Sequence, residues 1–154
     1  MKKTFIIFSV MGLTAVCLNS CYMVMPITSV DSPNAPKAIG PYSQATVIAN
    51  MVYCSGQIGL LAVSGALVSD DISAQTRQGL DNLKAVLFAA HSDIRRVVKM
   101  TIYLKDMSDF SKVNEIYESY FPDLKPARST VEVARLPRDA LIEIDCVASV
   151  LRTK

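Results

Sequence analysis

The residues most able to do chemistry lie near the C-terminus, where Arg128, Thr130 and Glu132 alternate along one apolar-flanked run and Glu143 interrupts another. In an extended chain, side chains two apart share a face, so Arg128 and Thr130 point the same way and Glu143 points opposite to Ile142 and Ile144. If these two strands pair as a hairpin, Arg128 and Glu143 become neighbours on one side of a sheet. An Arg and a Glu placed so form either a cross-strand ion pair on a solvated surface or the polar wall of a small-molecule pocket. Two further stretches, Gly40-Pro41-Tyr42-Ser43-Gln44-Ala45 and Ser55-Gly56-Gln57, join polar side chains to small or rigid backbone, as pocket-lining loops do. Each of them could equally be a turn.

The elements that must position these groups follow from pattern. Residues 26–41, with Pro33, Pro36 and Pro41, read as an extended lead-in. Thr46 to Cys54 reads as two strands broken at Asn50, with another short strand near Ala66 to Val68. Asp70 and Asp71 offer N-cap oxygens to a helix whose Ile72, Thr76, Leu80, Leu83, Leu87 and Ala90 form one apolar stripe. Gly79 weakens that helix by about 1 kcal/mol against Ala unless a close packing contact requires it. His91 reads as a C-terminal cap, since His tolerates the left-handed conformation. Val97 to Leu104 alternates, with Val98, Met100, Ile102 and Leu104 on one side. Ser108 then caps a second helix carrying Phe110, Val113, Tyr117 and Tyr120 on one face, and strands follow at about 127–134 and 141–150, with Asp139 in the turn between them. Both helices on one face of a mixed sheet give an α+β two-layer sandwich. The other sheet face then needs cover, and neighbouring subunits are the obvious source.

Composition narrows the function classes. The 154 residues suit one compact domain. A net charge of +2 shows no strong appetite for nucleic acid, and the basic residues are scattered. His91 is the only histidine, which excludes a zinc site built on several imidazoles. The first 21 residues read as an export signal: Lys2 and Lys3, an apolar run from Thr4 to Val16, and Leu18-Asn19-Ser20-Cys21 resembling the lipidation box of bacterial lipoproteins. Cys21 is the lipidation candidate, giving a periplasmic or membrane-anchored protein; a start at Met23 or Met25 would return it to the cytoplasm. The chain divides as 1–21 signal, 22–41 lead-in and 42–154 domain. Cys54 and Cys146 sit in apolar stretches without CxxC spacing and read as buried, inert thiols, a disulfide between them being left open.

Ordered blocks sharpen this picture. Ala38-Ile39-Gly40-Pro41-Tyr42-Ser43-Gln44-Ala45, Ser55-Gly56-Gln57-Ile58, Asn114-Glu115-Ile116-Tyr117 and Pro126 to Pro137, followed by Ile142-Glu143-Ile144, closely resemble successive blocks of the RidA/YjgF family. The resemblance covers essentially residues 26–150. It implies a chorismate-mutase-like fold, a homotrimer with active sites at subunit clefts, no cofactor, and hydrolysis of 2-imino acids such as 2-aminoacrylate/2-iminopropanoate and 2-iminobutanoate. Arg128 matches the family's carboxylate-binding Arg, able to grip a small carboxylate through two parallel charge-assisted hydrogen bonds. Glu143 matches its acidic position, a general acid/base for water. Tyr42, Ser55, Gly56 and Thr130 match pocket positions, Thr130 standing where many members carry Cys. Two other functions compete: a non-catalytic trimer binding small metabolites in the envelope, and, least favoured, an endoribonuclease or translation inhibitor.

Overall fold

The computed structural model describes residues 25–151; Cys17, Cys21 and the proposed signal lie outside them. Eight principal elements follow in order: β1 (Thr28–Val30), β2 (Ala45–Ile48), β3 (Met51–Ile58), α1 (Ile72–Ala89), β4 (Val97–Leu104), α2 (Phe110–Tyr120), β5 (Ala127–Glu132) and β6 (Ile142–Ser149). The strands form one six-stranded sheet in the order β1-β2-β3-β6-β4-β5. All neighbours are antiparallel except β4 and β5. The expected α+β architecture, a mixed sheet with both helices on one face, is the observed one.

Asp71 accepts a 2.8 Å hydrogen bond from the Ala74 amide, so the expected N-cap starts α1. The apolar stripe is buried: Leu80, Leu83, Val86 and Leu87 are each 0% exposed. They pack against Met100, Ile102, Ile142 and Ile144 of the sheet's core face. A Cβ on Gly79 would lie 3.3 Å from the Gln57 carbonyl oxygen, the close approach that a glycine in this helix allows. His91 ends the helix with φ 54°, as a left-handed cap.

Four local expectations differ from the structure. Residues 66–68 contribute only an isolated bridge, Leu60 with Leu67, in place of a strand. A register shift between Val97 and Lys99 turns Val98 out to 49% exposure and puts Val97 in the buried slot. Ser108 lies within a short 3-10 turn, Met107–Asp109, which Asp106 caps by accepting from the Ser108 amide at 2.8 Å. Most consequential, β5 and β6 do not form a hairpin. β5 is the edge strand, parallel to β4, and β4 lies between it and β6.

The Pro-rich lead-in is tied down by one side chain. Gln44 is 2% exposed. Its Oε1 accepts from the Ser32 amide, and its Nε2 donates to the Pro36 carbonyl at 2.7 Å. Replacing Gln44 by Ala strands these buried backbone groups, each costing about 1–3 kcal/mol. The expected result is a loss of about 2–5 kcal/mol in urea unfolding with an unchanged m-value. A loss below about 0.5 kcal/mol would show that water replaces the staple.

Candidate active site

Residues directly opposite across a ladder share a face of the sheet. Arg128 is opposite Met100, and Met100 is opposite Cys146, so Arg128 lies on the helix-covered face. Glu143 is opposite Tyr103 and Ile58, on the open face. The alternation expected for β5 and β6 holds, yet Arg128 and Glu143 stand on opposite sides of the sheet within one chain. The hairpin that would have made them neighbours is replaced by the β4–α2–β5 crossover.

Glu143 is the floor of a cleft of about 370 Å³ whose walls include Lys37, Ile39, Tyr42, Ser55, Gly56 and Pro137. Three loops converge there because β3 bulges after Cys54, the register slipping before Gln57. The bulge brings Gly56 against Glu143: a Cβ on Gly56 would come within 2.6 Å of the Glu143 Cδ, so only glycine leaves the carboxylate where it is. Ser55 donates its hydroxyl to the Ser43 carbonyl at 2.7 Å, and its amide bonds the Gln44 carbonyl at 2.9 Å. These two bonds join β3 to the Tyr42 segment. The Tyr42 hydroxyl accepts from the Ile39 amide at 3.3 Å, and the ring is 49% exposed at the rim. Burial and, secondarily, the Asp145 carboxylate on the same face raise the pKa of Glu143 above the usual carboxylate range. Asp145 in turn accepts a 3.0 Å hydrogen bond from Tyr103. This pushes the Tyr103 hydroxyl pKa up, chiefly through that bond.

The structure thus gathers Tyr42, Ser55, Gly56 and Glu143, and leaves Arg128 and Thr130 elsewhere. Arg128 lines a second cleft of about 390 Å³ between α2 and the β5 edge, with Asn114, Tyr117 and Lys125. Its guanidinium carbon lies 4.7 Å from the Tyr117 ring centre and 5.5 Å from that of Phe110, so aromatic faces hold it. None of the ion pairs among the described residues includes Arg128. Burial pushes the Tyr117 hydroxyl up to about 12, so it stays protonated. That hydroxyl and the Thr130 Oγ1 are both buried without a hydrogen-bond partner. Unpaired buried polar atoms of this kind are uncommon.

Lys37, Ile39 and Pro137 in the first cleft, and the Tyr103–Asp145 pair behind it, escape sequence reasoning. Ile39 stands within the Ala38 to Ala45 block, and Lys37 immediately precedes it. Nothing in the local sequence marks the Tyr103–Asp145 pairing, which spans 42 residues.

The family pattern described as endoribonuclease L-PSP matches residues 32–150. A RutC family protein of Pyrococcus horikoshii is 54% identical over 75% of this chain and 91% of its own. The 2-iminobutanoate/2-iminopropanoate deaminase of Salmonella typhimurium is 47% identical over 78% of this chain and 95% of its own. Among solved structures, the YjgF gene product of E. coli is 46% identical with a TM-score of 0.76, covering 79% of this chain and 98% of its own. E. coli TdcF with bound serine is 37% identical with a TM-score of 0.77, covering 82% of this chain and 99% of its own. Sequence pattern, identity and fold agree, and the chain belongs to the endoribonuclease L-PSP family, that of the RidA/YjgF proteins.

Proposed function

We propose that this protein hydrolyses small 2-imino acids to 2-keto acids and ammonia, at a site formed where the Glu143 cleft of one subunit meets the Arg128 edge of another. The observation that carries the reading is the division of the site. A partly buried carboxylate of raised pKa sits in one cleft, and a guanidinium without an ion pair sits beside orphaned polar atoms on a different surface. Neither half alone suits the substrate. The Glu143 cleft offers a carboxylate only Lys37 and no guanidinium fork, and the carboxylate in the Arg128 cleft, Glu118, is engaged by Lys125 at 2.8 Å.

Joined, they supply the reaction. Arg128 holds the substrate carboxylate in a two-point grip. The imine enters protonated on nitrogen. Glu143, as carboxylate, takes a proton from water as the water oxygen bonds to the C=N carbon and the π pair moves to nitrogen, giving a neutral carbinolamine. Glu143 passes that proton to the amino nitrogen and then takes the carbinol O–H proton as the C=O forms and the C–N bond breaks. The departing ammonia carries this proton away as ammonium and leaves the keto acid. The protein with bound serine shows that this fold can accommodate a free amino acid. The open sheet face supports assembly, since it carries Tyr53 at 47% and Val131 at 42% exposure. A closed homotrimer satisfies a head-to-tail contact between two different surfaces.

Purified protein mixed with an imine generated in situ should accelerate keto-acid release above the uncatalysed rate. Ligand binding in calorimetry with no acceleration would instead favour the metabolite-binding module. The family's label names endoribonucleases, but the cleft has the dimensions of a small-molecule site and a single cation, Lys37, among its lining residues. The leader pattern of residues 1–21 supports a location in the cell envelope. Mass spectrometry of the mature N-terminus tests that: a lipidated Cys21 supports it, and a start at Met23 or Met25 refutes it.

A further inference from the structure

Cys54 and Cys146 stand directly opposite each other on β3 and β6. Both are free thiols on the core face, 9% and 1% exposed. The Val150 amide bonds the Asn50 carbonyl at 2.9 Å, which marks that pair as hydrogen-bonded. Antiparallel pairs alternate between hydrogen-bonded and open, so counting along the register makes Val52–Ala148 and then Cys54–Cys146 hydrogen-bonded as well. Such a pair holds its Cα atoms about 5.5 Å apart. Disulfides span roughly 4.4–6.8 Å. The two side chains project from paired positions onto the same face, and the neighbouring Cys54 together with burial raises the pKa of the Cys146 thiol.

We propose that Cys54 and Cys146 are a modification site, closing a cross-strand disulfide at the base of the β3 bulge. Cys54 immediately precedes Ser55 and Gly56, and Cys146 lies on the strand that carries Glu143. The bond would pin together the two strands whose bulge sets the cleft floor. Two S–H bonds break and one S–S bond forms; two electrons and two protons pass to a disulfide-bearing oxidant, such as a thiol–disulfide oxidoreductase, which becomes a dithiol. Burial shields the pair in the finished fold, so the bond closes as the chain folds, before β6 is covered.

Peptide mapping of the full chain tests this independently of any catalytic activity. The protein is refolded once in dithiothreitol and once in a glutathione redox buffer, free thiols are alkylated, and each sample is digested without further reduction. The buffer sample should yield the Cys54 and Cys146 peptides joined, about 2 Da lighter than the sum of the two thiol peptides. It should also melt at a higher temperature than the dithiothreitol sample, a difference absent from Cys54→Ser. Alkylated Cys54 and Cys146 in both samples, or either cysteine joined to Cys17 or Cys21 instead, would overturn the proposal. So would equal melting temperatures in a sample shown to be cross-linked, because the bond would then clamp nothing.

Discussion

Replacing Arg128 by Ala should lower kcat/KM for a small 2-imino acid by about 10²–10⁴-fold, on the basis of two charge-assisted hydrogen bonds of about 1.5–3 kcal/mol each. Arg128→Lys should recover little of this, since an ammonium keeps the charge but not the planar fork. The fold should survive both changes. Arg128 is half-buried on an edge strand, held by the rings of Tyr117 and Phe110 rather than by an ion pair. Losing that aromatic contact costs about 0.5–2 kcal/mol. Steady-state kinetics beside thermal melts separate the two effects. Undiminished kcat/KM in a folded Arg128→Ala protein would remove Arg128 from the site.

Glu143→Gln should cut kcat by about 10²–10⁴-fold, the usual contribution of a positioned acid–base group. The pH profile carries the more specific signature. Burial first, and Asp145 second, raise the pKa of Glu143, and the mechanism needs it ionised. Activity should therefore be flat at higher pH and fall about tenfold per pH unit below a limb placed above the ordinary carboxylate value of about 4.3. Asp145→Asn removes the repulsion and should move that limb down, while burial keeps it from returning fully. Stability runs the other way. A carboxylate whose folded pKa exceeds its unfolded value contributes stability below the unfolded value and loses it as pH rises through the folded one. At pH 7, then, Glu143→Gln should melt no lower than the parent. A profile with its limb unmoved by Asp145→Asn would break the link between this geometry and catalysis.

Much of this site is legible in the chain, and the failures have identifiable causes. Alternation correctly places Ile142, Ile144, Cys146 and Ala148 toward the core and Glu143 away from it, because a strand covered on one face shows its parity. Parity says nothing about which strands are neighbours. The hairpin between β5 and β6 rests on their adjacency in sequence, whereas β4–α2–β5 is a strand–helix–strand unit, whose strands run parallel. Reading that unit first makes β5 the partner of β4 and leaves β6 free to pair elsewhere. Val98 faces outward, against the alternation of its strand, because a one-residue bulge reverses the parity behind it, and no residue type announces the bulge. Gln44 lines the cleft as its block suggests, and its amide bonds the Ser32 and Pro36 backbone, which holds residues 36–39 along the cleft wall.

The separation of Arg128 from Glu143 is therefore what most needs testing. If each site takes its Arg from one subunit and its Glu from the next, the inactive Arg128→Ala and Glu143→Gln proteins should complement each other. Mixed in equal amounts, unfolded and refolded together, they form sites in which both residues are native about a quarter of the time. The account predicts recovery of about a quarter of the parental rate, with each variant refolded alone remaining inactive. A mixture no more active than its two components, in oligomers shown to have exchanged subunits, would contradict it.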